Sequence, residues 1–150
     1  MARWLGLDVG DARIGVALSD ESAILATGLP TVKRVGPRKD VLAITTLVRD
    51  RGVEAGVVVG LPRRLDGGIG PQAEKVLAFA EALRARLRVP VVTWDERFTT
   101  TIAHQTLNEA GVDSRKRKGV VDQVAATLIL QSFLDSRASV TPTPGGGGPC

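Results

Sequence analysis

One acidic residue in a stretch that otherwise reads as an interior strand narrows the candidate folds more than any other feature of this chain. In Leu5-Gly6-Leu7-Asp8-Val9-Gly10, strand alternation sends Leu5, Leu7 and Val9 to one face and Gly6, Asp8 and Gly10 to the other. Asp8 is then inside a buried strand, flanked on its own face by residues with no side chain. A lone carboxylate there carries a large desolvation cost unless it is paired, hydrogen-bonded or bound to a metal. Satisfaction by Arg13 or by a turn amide is the structural reading. The glycines favour the other, because they open the backbone to a ligand.

The order of elements around that strand defines the fold class. Residues 3–9 and 13–18 are apolar runs separated by the turn-forming Gly10-Asp11-Ala12, and Thr27 to Val35 supplies a third strand before Gly36-Pro37. From Arg38 to Arg51, Val41, Ile44, Leu47 and Val48 recur at helical spacing, with Gly52 placed to end the helix. Val57-Val58-Val59 is the β-branched core of a fourth strand, expected to be central. A glycine-rich loop, expected to be mobile, leads to Pro71 as a first helical residue, and apolar positions from Ala73 to Leu87 continue that helix. A fifth strand starts at Val91, a helix follows Thr99 or Thr100 and ends at Gly111, and after a basic loop residues 119–135 form the last helix. The sum is an α/β fold: a mixed five-stranded sheet, three antiparallel strands and then parallel ones, with helices on both faces.

A length of 150 residues suits one domain, assigned to residues 1–137. Residues 138–150, with Thr141-Pro142-Thr143-Pro144 and a glycine run, are expected to be a disordered tail. No apolar run approaches the roughly 20 residues of a membrane span, and the first residues contain no secretory core, so a cytoplasmic protein with no membrane partner is expected. The single cysteine, Cys150, excludes an intrachain disulfide and a cysteine-built metal site. A net charge of +4 fits a polyanionic partner. With 3% aromatic residues, base stacking cannot be the main means of recognition, which leaves shape and backbone contacts.

Two further acids stand where chemistry is plausible. Asp95 and Glu96 end the fifth strand, and alternation lets only one of them share a face with the site; an acid favoured by a helix start is the bland reading of either. Asp122 lies early in the last helix with Ala125, Ala126, Ile129 and Phe133 at i+3, i+4, i+7 and i+11, the buried stripe. Arg115-Lys116-Arg117-Lys118 comes just before Asp122, and Arg63-Arg64 opens the glycine-rich loop, so both can bracket a phosphate backbone; Lys118 is the strongest of these candidates. His104 reads as a surface residue.

Taken together, Leu5-Gly6-Leu7-Asp8-Val9-Gly10 to Arg13-Ile14-Gly15-Val16-Ala17-Leu18-Ser19-Asp20, Val59-Gly60-Leu61-Pro62 with Asp66-Gly67, Asp95-Glu96-Arg97-Phe98-Thr99-Thr100, and Lys118-Gly119-Val120-Val121-Asp122-Gln123-Val124-Ala125-Ala126 closely resemble the YqgF/RuvX family. The resemblance spans about residues 3–136 and leaves out only the tail. It implies a RuvC-like, ribonuclease H-like fold and a hydrolase of phosphodiester bonds that matures the 5′ end of pre-16S ribosomal RNA. It also implies Asp8, Glu96 and Asp122 as catalytic residues and metal ligands, with Asp95 as an additional acid of the same motif. Arg13 and Arg97, from the matching motifs, join Arg63 and Lys118 as candidate nucleic-acid contacts.

Three such acids would take Mg²⁺ or Mn²⁺, hard cations suited to carboxylate oxygen, and two ions about 4 Å apart would serve the attacking water and the leaving oxygen. The partner expected is precursor ribosomal RNA, with structured DNA as a second candidate. Rival readings are a Holliday-junction resolvase using the same acids, a non-catalytic nucleic-acid-binding regulator, and an actin-like ATPase, for which 150 residues supply one lobe of the two needed.

Overall fold

The first hairpin closes through a two-residue turn, Asp11-Ala12, with the Gly10 amide donating to the Arg13 carbonyl at 2.9 Å. The computed structural model describes residues 2–64, 66–98 and 114–140. Strands β1 (Arg3–Val9), β2 (Arg13–Ser19) and β3 (Ala26–Lys33) form an antiparallel meander. Helix α1 (Pro37–Asp50) follows and ends before Gly52, whose φ of +65° is the left-handed conformation glycine adopts at low cost. Strand β4 (Val53–Leu61), helix α2 (Pro71–Arg86), strand β5 (Val91–Asp95) and a short 3₁₀ turn, Glu96–Phe98, lead to the long helix α3 (Ser114–Val140).

The sheet order is β3-β2-β1-β4-β5, with β4 parallel to both β1 and β5. The middle strand is therefore β1, and β4, expected to be central, lies one place toward the β5 edge. The strand bearing Asp8 is thus the one most shielded from the sheet edges.

Alternation along β1 divides the core in two. Leu5, Leu7 and Val9 pack with Val57, Val59, Ile44, Val76, Phe79 and Leu83 in the layer covered by α1 and α2. On the other face, Trp4, Ala17 and Val58 pack with Ala126, Ile129, Leu130, Phe133 and Leu134 of α3. Glycine permits the close approach there: a Cβ on Gly6 would lie 2.7 Å from the Leu130 Cβ, and one on Gly28 would lie 2.6 Å from the Gln123 Cγ. Phe133 adds edge contacts to Trp4 and Trp94, with ring centroids 4.7 and 5.8 Å away.

Both ends of the last helix differ from the sequence expectation. Helix α3 starts at Ser114, so Arg115 to Lys118 form its first turns and not a loop. Arginine and lysine rank close to alanine as helix formers, and the roughly 1 kcal/mol penalty of Gly119 does not interrupt the run. At the other end α3 reaches Val140, three residues into the segment assigned to the tail. The rest of that tail, residues 141–150 with Cys150, and the expected helix that contains His104 lie outside the described residues.

Candidate active site

The acid of β1 stands in a field of glycines drawn from three strands. Gly6 and Gly10 flank Asp8 along its own strand, and Gly15 is its register partner on β2. On the other side Leu7 pairs with Val59, so the next step of the same register brings Gly60 of β4 beside Asp8. Gly60 in turn pairs with Trp94, and Leu61 with Asp95, near the end of β5. A Cβ on Gly60 would lie 2.5 Å from Ile129 Cδ1, 3.0 Å from Glu96 Cγ and 3.2 Å from Glu96 Cδ. The missing side chain is the cradle in which Glu96 lies.

Glu96 uses that cradle to reach Asp8. Both residues are half-buried, and their carboxyl groups share a hydrogen bond. Burial, and then the charge of Asp8 and the hydrogen bond to it, push the Glu96 carboxyl up to about 8 from an ordinary 4.5, so one proton is held between two acids at neutral pH. A proton shared by two carboxylates at the C-terminal ends of parallel strands marks a place where a cation would relieve both groups. The donor set, carboxylate oxygen alone, is that of a hard divalent ion.

Asp95, next in the chain, faces elsewhere. Its Oδ1 accepts hydrogen bonds from the Arg97 backbone amide at 2.9 Å and from Arg97 Nε at 3.1 Å, and its Oδ2 accepts from Arg97 Nε at 2.9 Å and Nη2 at 2.6 Å. Arg63 Nη1 stands 4.0 Å from the same Oδ2. The Arg97 hydrogen bonds hold the Asp95 carboxyl below the usual carboxylate range. Alternation predicted that only one of the two acids could share a face with Asp8, and the 3₁₀ turn brings Glu96 to it.

The glycine-rich loop after β4 is closed by its own backbone. Arg64 N–H donates to the Gly68 carbonyl at 3.0 Å and Gly67 N–H to the Arg64 carbonyl at 2.8 Å, while Arg63 Nη2 donates to the Gly67 carbonyl. Arg63 and Arg97, predicted separately as nucleic-acid contacts, are thereby brought to one cluster around Asp95. Arg13 opens β2 on the hairpin that follows Asp8. The backbone of Asp122 lies in α3, one turn before Ala126, which packs on the sheet face that carries Asp8. The side chains of Asp122 and Lys118 lie outside the described residues.

Sequence reasoning missed a second buried acid. Asp40, 1% exposed, accepts hydrogen bonds from Arg34 Nε at 2.9 Å and from the amides of Val35 at 2.9 Å and Gly36 at 3.4 Å. Arg34 also donates to the Gly10 carbonyl at 2.9 Å and lies over the Phe79 ring, 5.3 Å from its centroid. This pair ties the turn after Asp8 to α1 and α2. The available signal was an acid four residues beyond a glycine and in the first turn of a helix, the place of a capping carboxylate.

A family model described as RuvX, Holliday junction resolvase, matches residues 2–136. The chain belongs to the RuvX family. Among the relatives of this RuvX-family chain, a protein of Caldanaerobacter subterraneus is 57% identical over 137 residues, 90% of this chain and 97% of its own length. One of Desulforudis audaxviator is 52% identical over 137 residues, 91% of this chain and 96% of its own. Both carry the name "putative pre-16S rRNA nuclease". Among solved structures, Thermus thermophilus RuvC in complex with a Holliday junction aligns with a TM-score of 0.58 at 14% identity, covering 93% of this chain and 97% of RuvC. The fowlpox virus Holliday junction resolvase gives 0.54 at 10% identity, covering 89% and 98%. At such identities the likeness shows the fold alone, and that fold is RuvC-like.

Proposed function

We propose that this RuvX-family chain is a divalent-metal-dependent nuclease that hydrolyses phosphodiester bonds of RNA, with the 5′ end of precursor 16S ribosomal RNA in the cytoplasm as its substrate. The observation that carries the reading is the hydrogen-bonded carboxyl pair of Asp8 and Glu96 in the Gly60 cradle. Asp8 and Glu96 would hold Mg²⁺ or Mn²⁺, joined by Asp122 from α3. Bound there, such an ion would supply an activated water and charge neutralisation at the leaving oxygen. Glu96 must release its proton for the ion to bind, so occupancy rises with pH. Arg13, Arg63, Arg97 and Lys118 hold the phosphate backbone, and the acids then meet a strand already positioned.

Relatives more than half identical across nine tenths of this chain carry the ribosomal RNA name, whereas the junction-bound RuvC and the fowlpox virus resolvase are 14% and 10% identical. That contrast favours RNA. The family description and the RuvC likeness favour a junction resolvase as the second reading. The deciding experiment incubates the full chain with Mn²⁺ or Mg²⁺ and either 5′-extended 16S precursor or a four-way DNA junction. Metal-dependent cleavage of the RNA, abolished by chelator and by Asp8→Asn, is expected. Cutting of the junction alone establishes the resolvase, and cutting of neither points to a regulator that binds without catalysis.

A further inference from the structure

Asp95 lies beside the acidic pair yet is turned to two arginines, and their exposures define its place. The Asp95 side chain is 13% exposed, against 35% for Arg97 and 38% for Arg63. One carboxylate therefore sits behind two guanidinium groups that are open to solvent, and the charge of Asp66 in the adjoining loop also acts on Arg97. Asp95 accepts from Arg97 Nε on Oδ1 and from Nη2 on Oδ2, the fork geometry that fixes a guanidinium plane. The loop also shapes the cluster: Gly67, at φ +89°, would place a Cβ 3.5 Å from Arg97 Nη1, and its carbonyl accepts from Arg63 Nη2. A residue with a side chain at 67 would be strained by that φ, although its Cβ would make only ordinary contact with the arginine.

We propose that Asp95 is a positioning residue and not a metal ligand, and that the Arg97 guanidinium it orients, together with Arg63 held by the Gly67 carbonyl, receives a backbone phosphate of the nucleic-acid strand close to Glu96. The proposal rests on the nuclease reading for the identity of the strand. Preorganisation is the physical reason for the arrangement. An unrestrained arginine loses rotamer freedom on binding a phosphate, and one already held by Asp95 loses less. The negative charge of Asp95 weakens bare attraction for phosphate, so the arrangement favours orientation over strength.

Charge and orientation predict opposite signs, which makes Asp95→Asn decisive. Binding of a fluorescent single-stranded RNA is measured in chelator as a function of salt, and melting temperature is measured against Mn²⁺ concentration, so neither arm depends on cleavage. If Asp95 positions Arg97, Asp95→Asn weakens RNA binding about tenfold although the chain has become more basic, and the Mn²⁺ concentration that raises melting stays at the wild-type value. Arg97→Lys, which retains the charge and loses the fork, also weakens binding, and Arg97→Gln additionally lowers the salt slope by about 0.7, one phosphate contact on a single strand. Unchanged or tighter RNA binding by Asp95→Asn overturns the proposal, as does a tenfold shift of its Mn²⁺ dependence, which would make Asp95 a ligand. If wild type cuts no nucleic acid while these binding effects appear, the nuclease reading fails and the positioning role stands.

Discussion

Two acids shielded from solvent, Asp40 fully and Glu96 partly, face opposite partners. Asp40 meets a guanidinium and two amides; burial alone would push its carboxyl up, but the Val35 amide and Arg34 outweigh it and hold the carboxyl below the usual range. Glu96 meets Asp8, and burial and charge act in the same direction, pushing it up to about 8. The first acid is complete within the chain. The second is complete only with a proton or a cation, and incompleteness of this kind separates a site from a structural contact. Burial alone does not distinguish them, since Asp40 is the more buried of the two.

The comparison breaks most visibly at Asp8. Asp8→Asn should lose several kcal/mol of transition-state stabilisation, at least about a hundredfold in cleavage at 1.36 kcal/mol per tenfold. In chelator the variant should melt no lower than wild type, because removing the Asp8 charge removes part of the cost of keeping Glu96 protonated in the folded state. A variant that melts well below wild type yet cuts at near its rate would make Asp8 another Asp40.

Asp40→Ala should do the reverse. Leaving Arg34 without its carboxylate should cost about 3 kcal/mol in urea denaturation, within the range for a broken buried pair. Cleavage per folded molecule should change far less than for Asp8→Asn. Stability within 0.5 kcal/mol of wild type, on the scale of an exposed pair, would show that the clasp contributes little.

Titration sharpens the contrast because the two signs differ. Between an unfolded value near 4.5 and a folded value of about 8, the folded state keeps a Glu96 proton that the unfolded state has lost. Metal-free stability should therefore fall as pH rises through that window, by about 2 kcal/mol between pH 6 and 7.5 for one proton. Glu96→Gln should remove this slope. Asp40 acts oppositely: its contribution is present above its unfolded value of 3.8 and is lost as pH falls through its lowered folded value. Denaturation curves from pH 3 to 8 test both, and a slope retained in Glu96→Gln would assign the proton elsewhere.

The smallest effect belongs to an exposed pair. Lys75 Nζ lies 3.7 Å from Asp11 Oδ1, with both side chains more than 60% exposed. Asp11→Asn should change stability by less than about 0.5 kcal/mol, screened further by salt. A larger loss would mean that pairing matters here without burial, contrary to the contrast between Asp40 and Glu96.

Local spacing was enough to assign much of this molecule. Period-two alternation in residues 5–10 placed Asp8 on the glycine face, and the α1, α2 and β5 segments follow from apolar periodicity bounded by Pro and Gly. Those properties depend on residues a few positions apart, which the backbone brings together whatever the rest of the chain does. The start of α3 was misread because a basic run is compatible with both loop and helix, and the family resemblance supplied Glu96 and Asp122 where spacing left alternatives.

The tertiary structure alone decided which partner each acid would meet. Asp8 and Glu96 are 88 positions apart in sequence and face each other because β1, β4 and β5 are adjacent and parallel, with Gly60 leaving room between them. The same sheet ends and the 3₁₀ turn send Asp95 to Arg97 and Arg63, and the β1–β2 turn gives Arg34 both Gly10 and Asp40. A pattern in one segment sets the face of a residue. The charge that meets it depends on strand order and register, which are set by packing across the whole sheet.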